Sequence, residues 1–157
     1  MSYTDQNSLA PCHPAGESRK PPLRVDFDRR LKLEFHGSKI TSDGGLLAYR
    51  ELDDALGLTD AAGDAFHDSR TGKNGWHGMT GQFRQSLFGR VGGYEDVNDA
   101  ERLGRDPTMR WIVGGKAVER QAASTSQMGR FETELLATDA NVEALTDMNG
   151  VWIDRVH

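Results

Sequence analysis

The apolar spacing of this chain changes period once, near residue 40, and that change limits what the chain can fold into. Before it, Leu23, Val25 and Phe27 alternate with polar residues, and Leu31, Leu33 and Phe35 do so again after Asp28-Arg29-Arg30. Period-two patterning on both sides of a polar turn predicts a β-hairpin over Leu23–Phe35. After it, apolar residues recur at three- and four-residue steps, the spacing of one helix face. The expectation is a mainly α fold: an N-terminal β-hairpin followed by a bundle of about five to six helices.

The helix boundaries follow from local chemistry. Thr41-Ser42-Asp43 offers N-cap oxygens ahead of Leu47, Ala48, Leu52, Ala55 and Leu56, and Gly57 is placed to stop that helix. Thr59-Asp60 is placed to cap a short second helix through Phe66. A glycine-rich loop spans 69–78. Met79, Phe83, Leu87 and Val91 predict a third helix over 79–91 with these four as its buried stripe, ended by Gly92-Gly93. Val97, Ala100 and Leu103 predict a fourth. Pro107 suits the first turn of the next, which carries Met109, Ile112 and Val113. Ser124-Thr125-Ser126 caps a helix with Met128, Phe131 and Leu135. Val142, Leu145, Met148, Trp152 and Val156 mark the last one. Residues 1–22 hold four of the five prolines and have no periodicity, which predicts a disordered leader ahead of one helical region over 23–157.

Composition narrows the function classes. The net charge of −5 means that the chain as a whole is no electrostatic nucleic-acid binder, so any DNA contact needs a local basic face. Mean hydropathy is −0.63, and no apolar run approaches the ~20 residues needed to span a membrane. The first twenty residues lack the apolar stretch of a secretory signal. Cys12 is the one cysteine and has no internal disulfide partner. Cytoplasmic localisation is the expectation.

Several constellations invite a chemical reading, and a plainer one outweighs most of them. Asp26 and Asp28 share a strand face, but Arg24, Arg29 and Arg30 beside them make ion pairing cheaper than a metal. His67 and His77, even with Asp64 or Asp68, lack a fixed zinc arrangement, and Cys12-His13 lies in the leader. Gly114-Gly115-Lys116 is no phosphate-binding P-loop, because Arg110 and Ala117 stand where glycine and Ser/Thr are required. Gly75, Gly78 and Gly81 have no strand–turn–helix context for a dinucleotide. Asp139, Glu143 and Asp147 fall on one face of the last helix, as a solvated face would. One charge pattern stands out. From Ser69 to Tyr94 the charged residues are Arg70, Lys73, Arg84 and Arg90, all basic, which is what a phosphate-facing patch requires.

Three stretches, taken in order, carry a resemblance: TSDGGLLAYRELDDALGL (41–58), GYEDVNDAERLGRDP (93–107) and STSQMGRFE (124–132), with the lead-in VDFD (25–28). Together they resemble the N-terminal part of bacterial insertion-sequence transposases with the group-1 DDE domain, over residues 23–157. The resemblance implies DNA transposition, in which three acidic residues on a ribonuclease-H-like α/β fold hold divalent metals, usually Mg²⁺, to cut and join element ends. It also implies that the first catalytic aspartate sits in an aliphatic strand after the helix with which this chain finishes. Asp154 continues that helix, so no catalytic or metal-binding residue carries over. The expectation is a truncated N-terminal portion without catalytic activity. Its DNA contact, with transposon ends, would run through Arg70, Lys73, Arg84 and Arg90. The alternatives are a module that self-associates or pairs with intact transposase and inhibits it, and a remnant without function.

Overall fold

A computed structural model of the chain describes residues 23–33, 41, 43–71 and 77–157. The expected leader over 1–22, Phe35 of the hairpin, Ser42 of the first cap and Lys73 of the basic set lie outside the described residues. Seven α-helices and one two-stranded sheet are present among them, against the five to six helices expected. No larger sheet is present among the described residues, so the ribonuclease-H-like α/β architecture implied by the resemblance is not seen in them.

The hairpin forms where period two predicts it. Strands β1 (Leu23–Arg24) and β2 (Lys32–Leu33) pair antiparallel, Leu23 opposite Leu33. Its turn closes through Leu31 N–H to Asp28 O at 3.0 Å, with the Asp28 carboxylate accepting from Arg30 N–H at 3.0 Å. A two-stranded hairpin is marginal alone. Here the Glu51 carboxylate, from the first helix, accepts the backbone N–H groups of Asp26 (2.8 Å) and Phe27 (3.1 Å). Arg50 stacks over the Phe27 ring at 4.9 Å. The first helix thus holds the hairpin by charge-assisted hydrogen bonds and a cation–π contact.

Helices α1 (Leu46–Leu56) and α2 (Leu58–Ala65) are separated by Gly57 alone, at φ 62°. This left-handed residue ends α1 as expected, its N–H bonded to Asp53 O at 2.7 Å. The expected caps are not used as caps. The N-cap of α1 is Gly45, and the Asp43 carboxylate instead accepts the Tyr94 hydroxyl at 3.0 Å. Thr59 lies inside the first turn of α2, fully buried, with its hydroxyl on Asp53.

Helix α3 (Met79–Val91) has the predicted bounds but not the predicted stripe. Met79 and Phe83 are buried, whereas Val91 is 49% exposed and Phe88, five residues after Phe83, is buried. Five residues correspond to about 140° of rotation, so α3 buries two faces. One enters a core with Leu46, Leu47, Leu103, Met109 and Ile112; the other enters a core with Phe66, Met128, Phe131 and Met148. The second includes an edge-to-face pair, Phe66–Phe83, at 5.0 Å. A helix between two cores has no single apolar stripe, and it buries Gln82, Gln85 and Ser86 as well.

The remaining elements wrap around α3. They are α4 (Ala100–Leu103), α5 (Pro107–Val113), α6 (Thr125–Arg130) with a wider π turn over Phe131–Leu136, and α7 (Asp139–Val156). Pro107 opens α5 as expected, and Asp106 caps it by accepting from Thr108 N–H and Met109 N–H. Ser124 opens α6 with its N–H on the Gln127 side-chain oxygen at 2.9 Å. In α7 the packed residues are Asn141, Leu145, Met148 and Trp152, while Val142 (50%) and Val156 (63%) are exposed. The buried face is therefore narrower than the apolar spacing suggests. Its far end is held by polar contacts: Trp152 Nε1 donates to Leu58 O, and Arg155 Nη1 donates to Leu56 O and Gly57 O.

Candidate nucleic-acid interface

Of the four basic residues expected to face DNA, the three that are described, Arg70, Arg84 and Arg90, do not form one patch. Arg70 meets the Asp68 carboxylate through two hydrogen bonds (Nε 2.7 Å, Nη2 2.6 Å) and donates through Nη1 to His77 O and Gln82 Oε1. That pairing holds the Asp68 carboxyl below its ordinary value and raises Arg70. Arg84 is nearly buried: Nε donates to Thr59 Oγ1 at 2.8 Å and Nη2 pairs with Asp60 at 2.7 Å. Arg90 is half exposed and pairs with Glu132 at 3.0 Å, with further bonds to Ser86. Burial pushes the Glu132 carboxyl up, and the hydrogen bonds from Arg90 and Ser86 outweigh it, leaving it below its ordinary value. Arg84 and Arg90 are six residues apart on α3, about 240° of rotation, so they point to different sides. Counting charge along the chain finds an all-basic interval, but Asp68, Asp60 and Glu132 lie outside it or at its edge and fold onto it.

Several acidic residues of the family-like stretches are spent on structure. Asp53, 5% exposed, accepts Thr59 N–H (2.7 Å) and Thr59 O–H (2.6 Å), and pairs with Arg50 at 3.2 Å. Glu51 holds the hairpin, Asp43 the Tyr94 hydroxyl and Asp106 the start of α5. Asp28 pairs with Arg30, and that hydrogen bond keeps its carboxyl below the ordinary value. Asp139, Glu143 and Asp147 are exposed on α7, and Asp154 lies inside that helix. Among the described residues no group of three His, Cys, Asp or Glu side chains could hold a metal ion. Nor is any helix among them long and apolar enough to cross a membrane.

A different cluster does converge. The start of α3 faces the turn that follows α5, and between them lies a cavity of about 220 Å³ lined by His77, Gly78, Gly81, Arg84, Gly115 and Lys116. Among the described residues no acidic side chain lines it. His77 is 8% exposed; burial, then the charges of Arg70 and Lys116, push its imidazole below the ordinary value. Gly114 and Gly115 have φ of 76° and 55°. The sequence signal for this site is Gly114-Gly115-Lys116, which fails as a P-loop but supplies a left-handed turn next to a lysine. What no linear pattern could supply is the approach of α3 to that turn.

Two buried amides also escape sequence reasoning. Asn141 Oδ1 accepts His67 N–H at 2.7 Å, and its Nδ2 donates to His67 O and Leu135 O. Gln85 exchanges two bonds with the Ala123 backbone, at 2.7 and 2.8 Å. Each supplies a loop with the backbone partners that a neighbouring strand would give.

In comparison with known proteins, the profile of the family described as transposase DDE domain group 1 matches residues 23–157. No curated protein and no solved structure matches the chain.

Proposed function

Since the chain belongs to the transposase DDE domain group 1 family, we propose that residues 23–157 serve DNA transposition as a bracing and DNA-contacting part and do not themselves supply the acidic metal triad. The observation that carries this is the occupancy of the carboxylates. Asp43, Glu51, Asp53 and Asp106 are each used on a hydrogen bond, cap or ion pair that holds two elements together or starts a helix. The divalent metals of the family's chemistry find no ligand set among the described residues. DNA contact is weak and salt-sensitive and runs through Arg70, Lys73, Arg84 and Arg90. In that encounter a phosphate competes with Asp68, Asp60 or Glu132 for each guanidinium.

The test is a pair of assays on the whole chain. In gel-shift titrations with element-end duplexes, binding at low salt weakens steeply as salt rises. Lys73→Ala and Arg90→Ala each lower the affinity, while a circular-dichroism melt confirms that the fold is kept. Binding unaffected by neutralising all four basic residues removes them as the contact set. In a nicking assay with Mg²⁺ or Mn²⁺ the chain leaves supercoiled DNA intact; cleavage abolished by chelation would contradict the absence of a triad.

A second reading has its own observation. Helix α7 exposes Val142, Val151, Ile153 and Val156, and α1 exposes Tyr49 and Leu52, which favours association with another transposase chain through apolar helix faces. Light scattering after size exclusion discriminates: a monomer that does not bind an intact transposase removes it.

A further inference from the structure

We propose that the cavity between the start of α3 and the Gly114–Gly115 turn is a phosphate site that takes a backbone phosphodiester of DNA. The choice of DNA as the source rests on the DNA-contacting reading above; the anion chemistry does not. Four observations converge on it.

The first is charge. Arg84, itself paired with Asp60, and Lys116 line the cavity, and among the described residues no carboxylate does. The second is the helix terminus. α3 runs for 13 residues and its N-cap, Gly78, has no side chain to offer. The first main-chain bond of the helix is Gln82 N–H to Gly78 O. The N–H groups of Met79, Thr80 and Gly81 therefore point out of the helix end, where the peptide dipoles sum to about half a positive charge. The third is the turn opposite. Gly115, at positive φ, lines the cavity with Lys116, and a turn without Cβ lets a ligand approach the main chain closely, although the Gly114 N–H is already held by Arg110 O at 3.0 Å. The fourth is His77. It is more than nine-tenths buried and lines the cavity, yet its imidazole has no hydrogen-bond partner among the described residues. Arg50 Nε is the one buried side-chain nitrogen or oxygen without a partner among the described residues, so the His77 ring nitrogens keep access to the cavity, where a ligand can meet them. A phosphate oxygen does so, and it also offsets the positive charge around the ring. Space is sufficient, since one water occupies about 30 Å³ and the cavity is about 220 Å³.

The decisive variant is Gly78→Asp. Gly78 has φ −69° and ψ 162°, the extended geometry of an N-cap, and an added Cβ meets no heavy atom within 4 Å. Aspartate there caps α3 and stabilises the fold, while its carboxylate occupies the same N–H groups that a phosphate needs. Lys116→Ala is the companion. Amide and imidazole NMR of the whole chain is followed in two arms at constant ionic strength, one with inorganic phosphate and one with a short DNA duplex, with chloride as the control.

Saturable shifts confined to residues 77–81 and 114–117 in both arms, with His77 titrating at higher pH when phosphate is bound, are the expected result. Gly78→Asp melts at or above the wild-type temperature and loses binding in both arms; Lys116→Ala weakens both by about three- to tenfold. Phosphate shifts without duplex shifts uphold the anion site and overturn DNA as its source. Duplex binding that leaves these amides unmoved and is indifferent to Gly78→Asp overturns the site and leaves the DNA-contacting reading standing.

Discussion

Asp53→Ala separates a structural acid from a catalytic one. The Asp53 side chain is 6% exposed and accepts from Thr59 N–H, Thr59 O–H and Arg50, with Arg84 Nε 3.8 Å away. Removing it strands three buried groups at once. Thr59 is fully buried, so its N–H loses its partner without access to water. The Arg50 side chain is 7% exposed, and its Nε already has no partner. Burial and the neighbouring Arg84 charge already push the Arg50 guanidinium down from its ordinary value, against the lift from its carboxylates. Breaking a buried pair by removing one member costs about 3–5 kcal/mol, and an orphaned amide costs about 1–3 kcal/mol. The two do not add, because they share one network. Arg50 keeps Asp54 at 3.6 Å and the Phe27 ring, and Arg84 keeps Asp60. The net expectation is therefore a loss of about 3–5 kcal/mol, or roughly 6–20 °C in Tm for a chain of this size. Asp54→Ala is the matched control, since that side chain is 43% exposed, and it costs at most about 1 kcal/mol. Urea unfolding followed by circular dichroism reads both, with the slope unchanged and the midpoint displaced. The reasoning fails if Asp53→Ala lies within about 1 kcal/mol of wild type, or if the two neighbouring aspartates cost the same.

Two further outcomes test the packing and the electrostatics. A Cβ on Gly63 would lie 1.9 Å from Thr80 Oγ1 and 3.0 Å from Thr80 Cβ, so rotating the threonine does not relieve it. Gly63→Ala therefore pushes α2 from α3 and lowers Tm by an overpacking cost of about 1–3 kcal/mol, whereas Gly129→Ala, with nothing within 4 Å, raises it by helix propensity alone; equal effects refute the close approach. For pH, His77 is held below its ordinary 6.5 in the fold, so the unfolded chain takes up the proton first. Stability then falls as pH drops through 6.5 towards the folded value and is unaffected by this group above it. His77→Gln flattens that part of the profile, and an unchanged slope between pH 7.5 and 5.5 refutes it.

Elements whose signals are local were legible in the sequence. The bounds of α3, the stop at Gly57, Pro107 at the first turn of α5 and the Ser124 start of α6 all occur where expected. Each depends on a few neighbouring residues: a missing Cβ, a fixed φ, a side-chain oxygen within reach of the next turn. The expected stripes held less well, because apolar spacing states which residues share a face and not which faces meet a neighbour. Val91, Val142 and Val156 have the right spacing and remain exposed, while Gln82, Gln85 and Asn141 are polar and buried.

The sequence by itself determined the order of elements, most helix ends and, through three ordered stretches, the family. Tertiary structure alone decided the electrostatics. Asp60 is 24 residues from Arg84 and Glu132 is 42 from Arg90, so those ion pairs exist only after the chain has folded, whereas Asp68, two residues from Arg70, is a local partner. The same applies to the cavity. The start of helix α3 and the Gly114–Gly115 turn are more than thirty residues apart, and neither has a signature that names the other. A local rule is legible because its partners are fixed by the covalent chain; a site assembled across the fold has partners fixed only by packing.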